Sequence, residues 1–170
     1  NHLGGVCDEE WEPIFPNARY LVHQKEWDYW YSSQSDHENP LFRVFIQENI
    51  DPIKNRNLHL IHHAEEEIIP GIHAIKVPGH TPGQIALKIA SKGEQLLFIS
   101  DVWLHPLQIR HLDWETTFDL DHGLAKKSRI NMLELAYRDN IQVQSFHFDF
   151  PGLGYIDRTT SGWNWVPNII

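Results

Sequence analysis

Val77-Pro78-Gly79-His80-Thr81-Pro82-Gly83 closes one apolar run of the chain, and after one hairpin's worth of residues Ser100-Asp101 closes another. Two glycines and two prolines around His80 force the backbone to turn tightly and leave room beside the imidazole. A histidine at one strand end and an aspartate at another can meet at one edge of a sheet. Imidazole plus carboxylate is a donor set that suits zinc or another borderline divalent ion. The pairing points to metal-centred hydrolysis.

Around this pair the chain reads as strands. Leu58 to Ile61, Gly71 to Val77 and Ile85 to Ile89 are short apolar runs, and in the last Ile85, Leu87 and Ile89 alternate with Ala86 and Lys88. Ser91-Lys92-Gly93-Glu94 supplies a hairpin turn into Leu96 to Ile99. Asp121 reads as the N-cap of a helix running to about Asp139, with Leu124, Ile130, Leu133 and Tyr137 near one face, and Ile141 to Phe146 as a further strand. Upstream, Ala18 to Val22 predicts a strand and Gln24 to Tyr31 a helix carrying Trp27 and Trp30. Pro40 opens a second helix through about Asn49, and Asp51-Pro52 closes it. No repeat, low-complexity segment or linker divides the chain, so one domain over residues 1–170 is expected.

Composition narrows the function classes. The 170 residues hold 23 Asp plus Glu against 14 Lys plus Arg, a net charge of -9. Nucleic acid is therefore not the expected partner, since a phosphate backbone needs a basic footprint. Cys7 is the sole cysteine, which excludes an internal disulfide and a multi-thiolate zinc site. Any metal must sit on histidine and carboxylate. No apolar run is long enough to span a bilayer and no signal-peptide pattern opens the chain, so no membrane partner and a cytoplasmic location are expected. Residue 1 is not Met, so an export signal upstream of Asn1 stays an open alternative.

Four segments place a candidate ligand beside a turn: Asn1-His2-Leu3-Gly4-Gly5, the His80 turn, the Asp101 strand end, and Phe146-His147-Phe148-Asp149-Phe150-Pro151-Gly152-Leu153-Gly154. With Phe15-Pro16-Asn17-Ala18, His23, Glu26-Trp27 and His105-Pro106-Leu107-Gln108, they make the chain resemble the metallo-β-lactamase-fold hydrolases. Within them it resembles the branch that includes lactonases and organophosphate hydrolases. The resemblance covers nearly the whole chain. It implies an α/β architecture, a four-layer αββα sandwich of which this chain supplies the larger C-terminal portion, without the N-terminal strands.

The same resemblance implies a function. His80 corresponds to the third histidine of a first metal site, Asp101 to the carboxylate bridging two metals, and His2 and His147 to ligands of the second. The cofactor implied is a pair of divalent ions, zinc first, with manganese, cobalt or iron as alternatives. The activity implied is an enzyme in which a metal-bridging hydroxide attacks an ester, lactone or phosphoester bond of a small-molecule substrate, with Asp101 as the catalytic residue. A homodimer is common in that family. Two departures stand out. The family's His-x-His-x-Asp-His cluster is entered here only at its last two positions, with Asn1 where the family has Asp. Gln84 stands where Gly-His-Thr-Pro-Gly-His often places a final histidine, and with Asn1 and His105 it is a candidate for the pocket or for support of the ligands. Two other readings stay open: a mononuclear iron oxygenase of the same fold, and a degenerate, non-catalytic member.

Other residues attract plainer readings. His62 and His63 are adjacent, so on a strand they face opposite ways and are expected in solvent. Trp27, Trp30 and Tyr31 are expected in core or interface contacts. Trp103, Trp114 and Phe148 lie near the candidate ligands and suggest a hydrophobic substrate pocket. Cys7 reads as an inert small hydrophobe.

Overall fold

The computed structural model describes residues 5–31, 40–54, 56 and 58–168. They fall into two compact units, Asn1–His62 and His63–Ile170.

In the first unit β1 (Tyr20–His23), α1 (Gln24–Tyr31), α2 (Pro40–Asn49), α3 (Asp51–Lys54) and β2 (Leu58–Ile61) follow in order. The strands pair in parallel, Tyr20 opposite Leu58 and His23 opposite Ile61. Asp51-Pro52 does not simply close α2. It opens the short turn α3, whose Asp51 carboxylate accepts from Lys54 at 2.8 Å and from the Tyr31 hydroxyl at 2.7 Å. Trp27 stacks on Tyr31 at 4.2 Å, and Trp30 Nε1 donates to Glu26 at 2.7 Å. The indole cluster is thus occupied with local packing, as expected of aromatics at helical spacing.

In the second unit the alternation of apolar side chains builds a seven-stranded sheet in chain order: β3 (Glu65–Ile69), β4 (Ile72–Lys76), β5 (Ile85–Ser91), β6 (Glu94–Phe98), β7 (Gln142–Gln144), β8 (Leu153–Thr159) and β9 (Gly162–Pro167). Every neighbouring pair is antiparallel except β6 and β7, which are parallel. Parallel strands need a crossover, and α4 (Leu107–Arg110) and α5 (His122–Arg138) lie in it. Strand β3 is hidden in the sequence because Glu65-Glu66-Glu67 reads as a solvated run. At a sheet edge those carboxylates remain in water while the backbone still pairs, Glu65 opposite Ile75. The hairpin β8–β9 likewise lies beyond the strands expected from the sequence, and the expected strand from Ile141 to Phe146 shortens to β7.

Helix α5 begins where expected: Asp121 Oδ1 accepts from Leu124 N–H at 2.8 Å. Its buried face differs from the expected one. Ala125, Ser128, Arg129, Met132, Leu133 and Ala136 turn inward, whereas Leu124 and Tyr137 are exposed. The stripe opens with small and polar residues because the Gly79 turn presses against Ala125 and backbone carbonyls receive Ser128 and Arg129. Farther along, Met132, Leu133 and Ala136 join Ala86, Leu97, Ile99, Val143 and Ile156 in the core. Leu133 is fully buried there, so Leu133→Ala is expected to cost about 2–5 kcal/mol by denaturant unfolding. No described helix is long and apolar enough to cross a membrane.

Candidate metal centre

The sheet order explains why distant residues meet. Parallel pairing of β6 with β7 sends both strands out at the same edge, Ser100-Asp101 after one and Ser145-Phe146-His147 after the other. Strand β5 runs antiparallel to β6, with Leu87 opposite Phe98, so the β4–β5 connection holding His80 lies at that edge too. Three segments separated by at most 67 positions, from His80 to His147, thereby converge.

Asp101 sits between the two imidazoles. His147 Nε2 is 2.7 Å from its Oδ1, and His80 Nε2 is 3.6 Å from its Oδ2. The carboxylate is 9% exposed, with His80 at 19% and His147 at 32%. Each carboxylate oxygen thus faces one imidazole nitrogen. Among the described residues no group of three or more His, Cys, Asp or Glu is placed to hold a metal ion. Asn1 and His2 lie outside the described residues.

A layer that the sequence reading missed stands behind these side chains. His80 Nδ1 is 3.3 Å from Asp119 Oδ1, while Asp119 Oδ2 accepts from Arg129 Nη2 at 2.7 Å. Arg129 Nε in turn donates to Val102 O at 2.9 Å, next to Asp101. Burial pushes the Asp119 carboxyl up, but hydrogen bonds from His80 and Arg129 and the guanidinium charge outweigh it and hold the group below the usual carboxylate range. Ser128 Oγ donates to Pro78 O at 2.7 Å and fixes α5 to the His80 turn. Gln84 is buried, and with its amide oriented to suit its neighbours it donates to Val77 O at 3.1 Å and accepts from Asp101 N–H at 2.9 Å. It clamps the strand end before His80 to the backbone of Asp101.

The remaining candidates are placed as follows. His105 is exposed and its Nδ1 accepts from Leu107 N–H at 3.1 Å, which ties it to the start of α4. His62 and His63 are both exposed. Trp103 does not line a pocket: its side chain is completely buried in the core. Trp114 is exposed and stacks on His111 at 4.3 Å. Phe148 does line a cavity of about 550 Å³, with Pro106, Asp149, Phe150, Leu153 and Trp165. Burial and the carboxylates of Asp8 and Glu12 raise the Cys7 thiol above its ordinary value, which agrees with an inert thiol.

No protein-family model matches the chain, and no curated protein does. Solved structures do. AidC, a dizinc quorum-quenching lactonase in complex with a product, superimposes with a TM-score of 0.80 at 25% identity, over 100% of this chain and 61% of its own. AbOPH, a hydrolase of the beta lactamase superfamily, gives 0.83 at 22% identity over 99% of this chain and 60% of its own. The chain has the metallo-β-lactamase fold. An N-acyl homoserine lactone hydrolase with N-hexanoyl-L-homoserine at its catalytic metal centre matches more distantly, at 0.60 and 19% identity over 79% of this chain and 49% of its own. The metallo-β-lactamase fold is thus represented by a chain spanning about three fifths of the length of AidC and AbOPH.

Proposed function

We propose that the protein is a metal-dependent hydrolase of small-molecule esters, lactones or phosphoesters. The observation that carries this reading is the Asp101 carboxylate, each of whose oxygens faces the Nε2 of a different histidine. His80 and Asp101 would hold one divalent ion, and His147 and Asp101 a second. Bound there, such ions acidify water and polarise the oxygen of the scissile group. The protein's own share is to keep the three side chains in register. The β4–β5 turn, the end of β6 and the end of β7 each deliver one, and Gln84 joins the first two.

The surroundings favour an uncharged or weakly charged substrate. A net charge of -9 repels polyanions, and the cavity lined by Phe148 is walled mainly by apolar side chains, Phe150, Leu153 and Trp165 among them, with Asp149 and Asn168. AidC and the N-acyl homoserine lactone hydrolase, each solved with an acyl-homoserine product, support the choice of a lactone as the first substrate to try. The reading is tested by assaying a lactone, an aryl ester and a phosphotriester before and after chelation, and again after zinc or manganese is restored. Hydrolysis of at least one is expected to vanish with the chelator and return with the metal. Turnover that survives exhaustive chelation, or none in metal-loaded protein, would contradict it.

A further inference from the structure

A carboxylate and a guanidinium buried together are an expensive choice for the inner face of a helix, because desolvation offsets much of their attraction. Asp119 and Arg129 are 0% and 3% exposed in their side chains, and the positions one turn to either side of Arg129, Ala125 and Leu133, are apolar. What distinguishes the pair is its placement. Its acidic end meets the far nitrogen of His80 and its basic end grips the carbonyl of Val102, beside Asp101.

We infer that Asp119 and Arg129 form a positioning unit that fixes the His80 ring with Nδ1 on Asp119 and Nε2 toward Asp101, so that the ring is preset for a divalent cation. Asp119 Oδ1 lies 3.3 Å from His80 Nδ1 while its Oδ2 accepts from the guanidinium at 2.7 Å, so the carboxylate is held between two partners and its orientation sets that of the ring. Such outer partners fix the tautomer and ring orientation of metal-binding histidines, and their loss typically weakens metal affinity about 10–100-fold. Arg129 sits on α5 and also bonds the backbone after Asp101, so one guanidinium sets the spacing between the two ligand-bearing segments.

The inference rests on the metal-hydrolase reading, and zinc binding by the intact chain separates the two. Asp119→Asn alone leaves Arg129 buried without its counter-charge and can fail through folding. Asp119→Leu combined with Arg129→Met removes both charges and the partner of His80 Nδ1 while keeping the volume filled, and Asp119→Asn combined with Arg129→Met restores an amide oxygen that can accept from Nδ1. Zinc affinity is measured on wild type and on both pairs by competition with a chromophoric chelator, with thermal melts as a control on folding. The expected result is that the Asp119→Leu pair binds zinc about 10–100-fold more weakly than wild type, and that the Asp119→Asn pair, melting at the same temperature as the Asp119→Leu pair, recovers most of that loss. Wild-type affinity in the Asp119→Leu pair, or equal losses in the two pairs, overturns the positioning role alone. A wild type without zinc affinity overturns the hydrolase reading as well.

Discussion

Asp101→Ala is expected to lower kcat/KM by roughly a thousandfold or more, while thermal unfolding of the metal-free protein barely changes. Every other donor at this edge is arranged around that carboxylate. Its two oxygens face His147 at 2.7 Å and His80 at 3.6 Å, so truncation removes the shared donor from both sides at once. The fold has less need of it. Both imidazoles retain access to solvent, and the backbone N–H of Asp101 stays bonded to Gln84. Steady-state kinetics with the lactone, set beside melting curves of both proteins, check this. Turnover within about tenfold of wild type would remove Asp101 from the role given to it.

Gly79→Ala is expected to destabilise the protein by about 3–5 kcal/mol, a large part of the stability of an ordinary domain. Gly79 has φ +135°, and a methyl group there would lie 2.0 Å from the backbone nitrogen of Ala125 and 2.7 Å from its Cβ. Neither obstacle is a flexible side-chain tip. Either α5 lifts from the His80 turn or the turn itself moves, and the bonds Asp121 N–H to Gly79 O at 2.9 Å and Leu120 N–H to His80 O at 3.2 Å go with it. Gly93→Ala provides the comparison, since Gly93 also has positive φ, +85°, but nothing lies within 4 Å of the added carbon. It is expected to cost only about 1 kcal/mol, from backbone strain alone. Equal losses for the two, measured by denaturant unfolding, would show that close approach to α5 is not what Gly79 is for.

The legible part of this protein is the part written in backbone terms. His80 is flagged by glycine and proline, Asp101 by the apolar run it ends, and His147 by the turn that follows; the sheet then brings those ends together. Asp121 announces itself as an N-cap because capping is local chemistry between neighbours in sequence. Illegible features depend on what a side chain meets far away. Asp119 and Arg129 look like surface charges until the fold buries them against each other. Leu124 and Tyr137 suit an apolar face, yet close contact with the Gly79 turn requires the Ala125 side of α5 to face inward. Trp103, two residues after Asp101, suggests a pocket wall but fills the core, in the same buried cluster as Ile99, Val102 and Ile109. Glu65-Glu66-Glu67 conceals an edge strand, since edges tolerate charge.

The central claim is that His80, Asp101 and His147 are one metal centre. Zinc affinity of the intact chain, measured by chelator competition for wild type and for His80→Ala, Asp101→Ala and His147→Ala, tests it most directly. The account predicts measurable zinc binding by wild type and a loss of at least about tenfold in each variant, greatest for Asp101→Ala. Wild-type affinity in all three variants, or none in wild type, would contradict it.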